Sequence, residues 1–304
     1  MKKKRLAAKV RIITIVKIVI PIVLIVGVGI LAAPAVFFYK ISHPGPFEEP
    51  LNPSYYLLDS SDIRATSNDG TEINGWWITG KEGAAGIVLS PGYGMSRSDV
   101  LSLAAALHAK GFNVLIYGQR GSSASTRKTS TLGLKESEDM LTAVHFVQER
   151  PESDRMRIGI WGVDVGAYSA ILAAASVPEV RAIAADSVFE SAYDFLDVKL
   201  DEEYGLNYRM LQSGCGLILK LICVGMGCPR GGELPVEVLS DRALLFITGE
   251  NRLKLGRLTT ALCNRLPSKK EIISFKTSRV HMMKGKEFPD YDSRVTDFFL
   301  QNLQ

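Results

Sequence analysis

Residues 157–176 read RIGIWGVDVGAYSAILAAAS, and this stretch decides the fold. An apolar, β-rich run leads into Gly162-Val163-Asp164-Val165-Gly166, and the small and apolar residues that follow favour a helix. A strand, a tight turn between two glycines and a helix make up the Gly-x-Ser-x-Gly elbow, which lifts its central side chain above a sheet. Both elbow glycines, Gly162 and Gly166, are present, but the central residue is Asp164 where the pattern has serine.

Short β-rich runs alternate with helical patterns on both sides of this stretch. The alternation predicts an α/β fold with a mostly parallel eight-stranded sheet and helices on both faces. The predicted strands lie at about 61–66, 71–79, 86–89, 113–117, 157–161, 181–185, 243–248 and 271–275. The predicted helices lie at about 97–110, 133–149, 165–176 and 290–303. The folded domain is therefore predicted to span 61–304.

A segment at about 190–240 interrupts this alternation and is predicted to be a small cap insertion. It contains GCGLILKLICVGMGC at 214–228, which has a single charge and is too short to span a bilayer. Two interpretations stay open. The segment is a buried cap helix, or it is a lid that lines a pocket or rests on a nearby membrane surface.

The N-terminal region predicts one transmembrane helix. Residues 18–39 carry no charge, and 22 residues at about 1.5 Å each are enough to cross a hydrocarbon core of about 30 Å. The basic head at 1–17 is expected to stay in the cytoplasm, and the proline-rich linker at 40–60 leads to an extracytoplasmic domain. The alternative is a signal peptide cleaved near Ala33-Pro34-Ala35, but signal cores usually run only about 7–15 residues, which favours an uncleaved anchor in the cell membrane.

The charge distribution and the cysteine spacing argue against several kinds of binding partner. Residues 1–40 hold eight basic residues and no acid, so the formal net charge of +4 becomes −4 for the remainder, and nucleic-acid binding is not expected. The sequence has no nucleotide or cofactor motif, and the cysteine spacing does not fit a zinc site, so neither a cofactor nor a metal is expected. One disulfide or buried free thiols are both compatible with the four cysteines, Cys215, Cys223, Cys228 and Cys263.

The soluble region resembles the membrane-anchored α/β-hydrolases of the serine aminopeptidase-like (Bem46-like) group, from about residue 60 to the end. The stretches that carry the resemblance, besides the elbow, are Ser90-Pro91-Gly92-Tyr93-Gly94, Tyr117-Gly118-Gln119-Arg120-Gly121-Ser122, Gly133-Leu134-Lys135-Glu136-Ser137-Glu138-Asp139, Asp186-Ser187-Val188-Phe189 and Gly249-Glu250-Asn251-Arg252. The resemblance implies an α/β-hydrolase fold and a Ser, Asp and His triad. The elbow has lost its serine, and the first of these loops has proline in place of histidine.

Of the three triad residues, only the histidine is present in this sequence. His281 follows the last predicted strand, whereas His43 lies in the linker and His108 and His145 lie within predicted helices. The resemblance places the triad acid at Arg252, which has the opposite charge. Glu250 or Asp186 is the alternative acid, and Asp186 is equally well interpreted as a structural carboxylate.

An aspartate at the elbow changes the chemistry that the site supports. The Asp164 carboxylate can displace a leaving group at saturated carbon and form an ester on the enzyme. Water activated by His281 would then hydrolyse that ester, with the N–H groups of Tyr93 and Val165 holding the oxyanion. Epoxide hydrolases and haloalkane dehalogenases resemble this arrangement. Their His-Gly-x-Pro loop is absent, and three cap tyrosines are interpreted as packing residues: Tyr193, Tyr204 and Tyr208.

Two functional hypotheses follow. The first is a membrane-anchored hydrolase of a small ester, epoxide or related substrate, working through Asp164 and His281. The second is a catalytically inactive α/β-hydrolase domain that serves as a tethered binding or scaffold module, since fold alone does not establish function. The hydrolase hypothesis needs both side chains in one pocket. Separation of the two groups, or burial of the Asp164 carboxylate in an internal ion pair, would overturn the enzyme hypothesis and leave only the predicted fold and anchor.

Overall fold

The structure is a computed structural model that describes residues 2–45, 48–121, 125–228, 234–266, 270–278, 283 and 287–304. Its eight strands all correspond to predicted ones, with small differences at their ends. They are β1 Ser61–Thr66, β2 Glu72–Ile78, β3 Ala84–Ser90, β4 Asn113–Tyr117, β5 Ser153–Val163, β6 Val180–Asp186, β7 Ala243–Gly249 and β8 Lys270–Phe275. Strand β5 begins four residues before its predicted start, and its pairing with β3 shifts register between Ala85 and Gly86.

The eight strands form one sheet in the order β1-β2-β4-β3-β5-β6-β7-β8. Strand β2 pairs antiparallel with both β1 and β4, and every other pair in the sheet is parallel. The mostly parallel eight-stranded sheet predicted from the sequence is confirmed. Because β5 is central and parallel to both of its neighbours, the elbow that follows it lies at the carboxyl edge of the sheet, where parallel α/β sheets place their ligand sites.

Helices cover both faces of the sheet, as predicted. The helices of the described residues are α1 Lys2–Ser42, α2 Leu101–Ala109, α3 Glu136–Gln148, α4 Val165–Ala174, α5 Ala192–Tyr204, α6 Arg209–Met226, α7 Leu253–Arg265 and α8 Glu287–Leu303. Of these, α2, α3, α4, α7 and α8 pack on the sheet. Buried side chains of α3 and α4, such as Val144 and Ile171, belong to the core on one face. Leu103 of α2 and Phe299 of α8 belong to a separate core on the other face.

Helices α5 and α6 form the predicted cap, but α6 is not the buried helix that one interpretation expected. Among its side chains only Cys215 and Leu219 are buried. Apolar residues lie around most of its circumference, so packing one side on the domain leaves another apolar side uncovered. That interpretation is therefore wrong for α6.

Helix α1 is continuous through both of its prolines and ends at Ser42. Its segment Lys17–Ser42 is long and apolar enough to cross a membrane, and the same holds, on length and composition, for Arg209–Met226 of α6. Most of the described side chains of α1 are exposed, but Phe38 and Ile41 near its end are buried against the domain.

The closing helix contains a carboxyl group that makes stability depend on pH. Burial raises the pKa of Asp292 from 3.8 to about 7, and its Oδ1 has no hydrogen-bond partner among the described residues. Because the folded state binds the extra proton between these two values, the free energy of unfolding should fall as pH rises from about 4 to 7. We expect Asp292→Asn to flatten this dependence and to be more stable than the wild type at pH 8, measured by chemical denaturation of the full chain in detergent.

The matched control for this pH experiment is Asp290→Asn. Asp290 is exposed on the same helix, two residues away. This substitution removes one carboxylate without changing a buried group, so it should leave the pH profile as it is in the wild type. Equal profiles for Asp292→Asn and the wild type would contradict the assignment.

Candidate functional site

The elbow has the strained backbone that its sequence predicts. Asp164 lies between β5 and α4 with φ +41° and ψ −104°, a conformation that side-chain-bearing residues rarely adopt. A Cβ on Gly162 would lie 2.5 Å from the carbonyl carbon of Gly166, and a Cβ on Gly166 would lie 2.6 Å from the Ser90 carbonyl oxygen. Both glycines are therefore required by close backbone approach, and the turn holds the Asp164 side chain in one place.

Two backbone amides converge on one oxygen of the Asp164 carboxylate. The Tyr93 N–H donates to Oδ1 at 2.7 Å, and the Val165 N–H donates to the same atom at 2.6 Å. These are the two amides that the sequence proposed as an oxyanion hole. Gly92 makes the approach feasible, because a Cβ there would lie 2.8 Å from Oδ1. Since Oδ1 occupies both donors, the carbonyl oxygen of an ester cannot use them while Asp164 keeps this position.

The second carboxylate oxygen is held by an arginine. Oδ2 of Asp164 lies 3.2 Å from Nη1 of Arg252, and Nη2 of Arg252 lies 3.2 Å from Oε2 of Glu202 on α5. Asp164 is only 1% exposed and Arg252 only 6%. The elbow carboxylate is therefore part of a buried ion pair, the arrangement that counts against the hydrolase hypothesis.

Both partners of this ion pair stand out in the sequence, but their contact does not. Against the triad pattern, Arg252 is a departure from the acid and Asp164 is a substituted nucleophile. The charges at the two positions could have revealed the contact. Asp164 is acidic where the pattern has a neutral nucleophile, and Arg252 is basic where the pattern has an acid. These two positions flank the triad histidine, so opposite charges placed on them attract each other.

Asp186, one of the two alternative triad acids, is fully buried with both oxygens engaged. The Ser187 hydroxyl donates to its Oδ1 at 2.8 Å, and the Tyr291 hydroxyl donates to its Oδ2 at 3.0 Å. Tyr291 in turn accepts a bond from Nε1 of Trp161 at 2.9 Å. Burial raises the pKa of Asp186 well above its usual value of 3.8. These contacts support the structural interpretation of Asp186.

The other predicted acid makes no side-chain contact with Asp164 among the described residues. Glu250 is exposed, and its backbone N–H bonds to the Phe275 carbonyl oxygen at 3.0 Å. His281 lies outside the described residues. Its role as the base stays a prediction.

The cap covers the site with a second cation that the sequence analysis did not select. Nζ of Lys199 on α5 lies 4.2 Å from the ring centroid of Tyr93 and forms an ion pair with Glu203. Burial lowers the pKa of Lys199 from its usual value of 10.5, with the bonded Glu203 acting in the opposite direction. The Phe195 ring packs edge-on against Tyr93 at 5.6 Å between centroids. No sequence pattern marks Lys199, because only the packing of the cap brings it to Tyr93.

The end of helix α1 closes another side of the site. The Tyr93 hydroxyl donates to the Ile41 carbonyl oxygen at 2.8 Å, and the Ser130 N–H donates to the Ser42 carbonyl oxygen at 2.7 Å. Pro44 helps to line a cavity of about 10 Å³ beside the Tyr93 and Val165 amides. That volume is near the minimum for one water molecule and too small for a substrate.

Charged residues in two of the motifs that carried the family resemblance hold loops together. Glu136 accepts bonds from the side chains of Ser130 and Thr131 and from the backbone N–H groups of Thr131 and Gly133. Arg120 forms a two-pronged ion pair with Asp139, at 2.8 and 2.6 Å. Both contacts are buried, and they fix the loops after β4 against the first turn of α3.

Comparisons with known proteins agree with this architecture. The family X-Pro dipeptidyl-peptidase (S15 family) matches residues 54–198. An esterase of Pyrococcus furiosus, Pf2001, superposes with a TM-score of 0.65 at 22% identity, over 87% of this chain and 99% of that one. The fold is that of the α/β-hydrolases.

Curated relatives add sequence similarity over part of the chain. The polyketide transferase grgF of Penicillium sp is 28% identical over 204 residues, which is 65% of this chain and 69% of that protein. The thiohydrolase apmlB of Arthrinium phaeospermum is 27% identical over 139 residues. The match covers 45% of this chain and spans less than half of that thiohydrolase, 45% of its length.

Proposed function

We propose that this chain is a membrane-anchored hydrolase that acts on a small substrate at saturated carbon, with Asp164 as the nucleophile. The single observation that carries the proposal is the binding of Oδ1 by the Tyr93 and Val165 amides. Binding of Oδ1 at a strained elbow fixes the direction of Oδ2, as nucleophilic catalysis requires. The names of the relatives, an esterase and a thiohydrolase, support hydrolysis in general.

The proposed reaction has two steps. Oδ2 of Asp164 forms a bond to the substrate carbon, and the leaving group departs with its electron pair, either as a halide or as the alkoxide of an opened epoxide, which takes a proton from solvent water. Water, deprotonated by His281, then attacks the carboxyl carbon of the resulting ester. The Tyr93 and Val165 amides hold the negative charge on Oδ1 in this second step, and release of the alcohol restores the carboxylate.

Hydrolysis of an ester by direct acyl transfer to residue 164 fits the site less well. In that reaction the substrate carbonyl oxygen needs the two amides, and Oδ1 occupies them. The Arg252 guanidinium must also release Oδ2 before any attack, because the lone pairs of that oxygen point toward it. The proposal therefore includes an opening of the Asp164–Arg252 ion pair when substrate enters.

Covalent labelling tests the proposal. The full chain in detergent is incubated with an aryl epoxide, an alkyl halide and an aryl ester, and intact mass and peptide mass are measured. We expect His281→Ala to accumulate an alkyl ester on Asp164 with the first two reagents, because the step that removes it is lost, and Asp164→Asn to carry no adduct. A single turnover of the wild type in ¹⁸O-water should place ¹⁸O in the Asp164 carboxylate. Absence of adduct, product and ¹⁸O with every reagent would overturn the proposal.

The second candidate is a catalytically inactive module, and the buried Asp164–Arg252 ion pair is the observation that favours it. In this case the pair is a structural replacement for the triad and never opens. The labelling experiment separates the two candidates, because an inactive module stays unmodified although it is folded. Arg252→Leu sharpens the comparison. This substitution frees Oδ2. If the ion pair alone prevents the reaction, the variant would become labelled at Asp164.

Membrane anchoring by α1 is part of the proposal, with the N-terminus in the cytoplasm and the domain outside. The length and apolarity of Lys17–Ser42 support it. Contacts of Pro34, which lies within the alternative cleavage site, support retention of the segment: a Cβ on Gly214 would lie 2.6 Å from Pro34, and the Cys215 thiol lies 3.4 Å from the Pro34 carbonyl oxygen. A mature N-terminus near Val36, determined by mass spectrometry, would contradict an uncleaved anchor.

A further inference from the structure

Helix α6 of the cap has an apolar stripe that faces away from the domain. The stripe consists of Met210, Leu217, Leu221 and Val224, which are 70%, 57%, 63% and 75% exposed. Their spacing of seven, four and three residues places them on one side of a helix. Cys215 and Leu219, on the opposite side, are buried in the core.

The stripe is continuous with the apolar surface of α1. Gly214 lies at the edge of the stripe, and the absence of a side chain there lets α6 approach Pro34 of α1 closely. The Cys215 thiol also reaches the Pro34 carbonyl oxygen at 3.4 Å. Pro34 lies near the outer end of Lys17–Ser42, so the stripe begins where the proposed membrane span ends.

The charges of α6 lie at one edge of the stripe rather than in it. Arg209 and Lys220 are exposed and follow the flank of the helix. Cationic side chains at this position keep their charge at the headgroup level while their methylene stems cover apolar surface. An apolar stripe with a basic flank is the pattern of a helix that lies in the plane of a membrane interface.

We infer that α6 lies on the outer leaflet of the same bilayer that α1 crosses, with the stripe of Met210, Leu217, Leu221 and Val224 in contact with lipid. This inference rests on the proposed anchoring by α1, which brings the stripe to the membrane surface. The occupant is lipid rather than a protein partner, because the stripe joins a surface of α1 that is itself apolar and exposed along most of its length.

Tryptophan quenching by brominated lipids tests the inference on the full chain in phosphatidylcholine bilayers. Leu217→Trp places a reporter on the stripe, Val26→Trp places one on α1, and Met156→Trp places one on an exposed site at the start of β5. The native Trp76, Trp77 and Trp161 are buried, and their signal is subtracted with the wild type. We expect the reporter at 217 to lose fluorescence most with lipids brominated close to the headgroup, the one at 26 with deeply brominated lipids, and the one at 156 with neither.

The outcomes separate failure of the inference from failure of anchoring. Quenching at 26 without quenching at 217 beyond the level at 156 would overturn the position of α6 and leave α1 in the membrane. No quenching at 26 would overturn both. A reporter at 217 that becomes quenched only when the protein is diluted in lipid would show that a second copy covers the stripe, and this too would overturn the inference. Circular dichroism of each variant must match the wild type.

Discussion

Replacement of Arg252 by leucine should lower the free energy of unfolding by about 3–5 kcal/mol. The substitution leaves the Asp164 carboxylate, which is 1% exposed, without its cation, and removal of one partner of a buried ion pair costs about this much. Glu202 also loses its contact with Arg252, although it is more exposed. The measurement is chemical denaturation of the full chain in detergent at pH 7.

A double-mutant cycle isolates the contribution of the pair. Asp164→Asn together with Arg252→Leu should cost less than the sum of the two single substitutions, because the double variant has no unpaired carboxylate at the elbow. Lys254→Met is the control, since it breaks a more exposed ion pair with Asp201 and should cost no more than about 1 kcal/mol. If Arg252→Leu costs no more than this control, the pair is not structural.

The second large effect is expected at Arg120. Its guanidinium binds both oxygens of Asp139 at 2.8 and 2.6 Å and also lies 3.0 Å from Asp69, and the side chains of Arg120 and Asp139 are fully buried. Arg120→Leu leaves Asp139 buried and unpaired by any cation, so we expect a loss of about 3–5 kcal/mol in the free energy of unfolding. Arg120→Lys keeps the charge but not the two-pronged geometry and should lose less.

The loss at Arg120 should depend on pH in a defined direction. Burial already raises the pKa of Asp139 above 3.8, and the contacts with Arg120 act against that rise. Without Arg120 the folded state holds a proton on Asp139 up to a higher pH, so stability falls more steeply as pH rises. Arg120→Leu should therefore be less damaging at pH 5 than at pH 8. An equal loss at both pH values would contradict this account.

The sheet and its helices could be predicted from sequence because they depend on local patterns. The run Asn113–Tyr117 predicts a strand, and the two elbow glycines predict a tight turn, almost regardless of the rest of the chain. The position of the Val165 amide also followed from the elbow, since the turn itself fixes the helix N-terminus, whereas the Tyr93 amide lies in the loop after β3, 71 residues away. The occupant of those amides did not follow, because a pattern with serine in the centre does not show where a longer, charged side chain will lie.

What the sequence could not show depends on contacts between distant segments. Asp164 and Arg252 are separated by 88 residues, and parallel strands bring them together only because β5, β6 and β7 are neighbours. The orientation of α6 is of the same kind. The seven-residue spacing of its apolar side chains is visible in the sequence. Which side of α6 faces the domain depends on its packing against Pro34 of α1 and against α5.

Tyr93 connects the N-terminal helix to the elbow, because its side chain and its backbone bond to different segments. Its hydroxyl is bonded to the last turn of α1, and its backbone N–H is bonded to Asp164. A shift of α1 relative to the domain would thus be transmitted to the elbow over a single side chain. A fragment trimmed past residue 44 would lose this linkage, and its elbow would not represent that of the full chain.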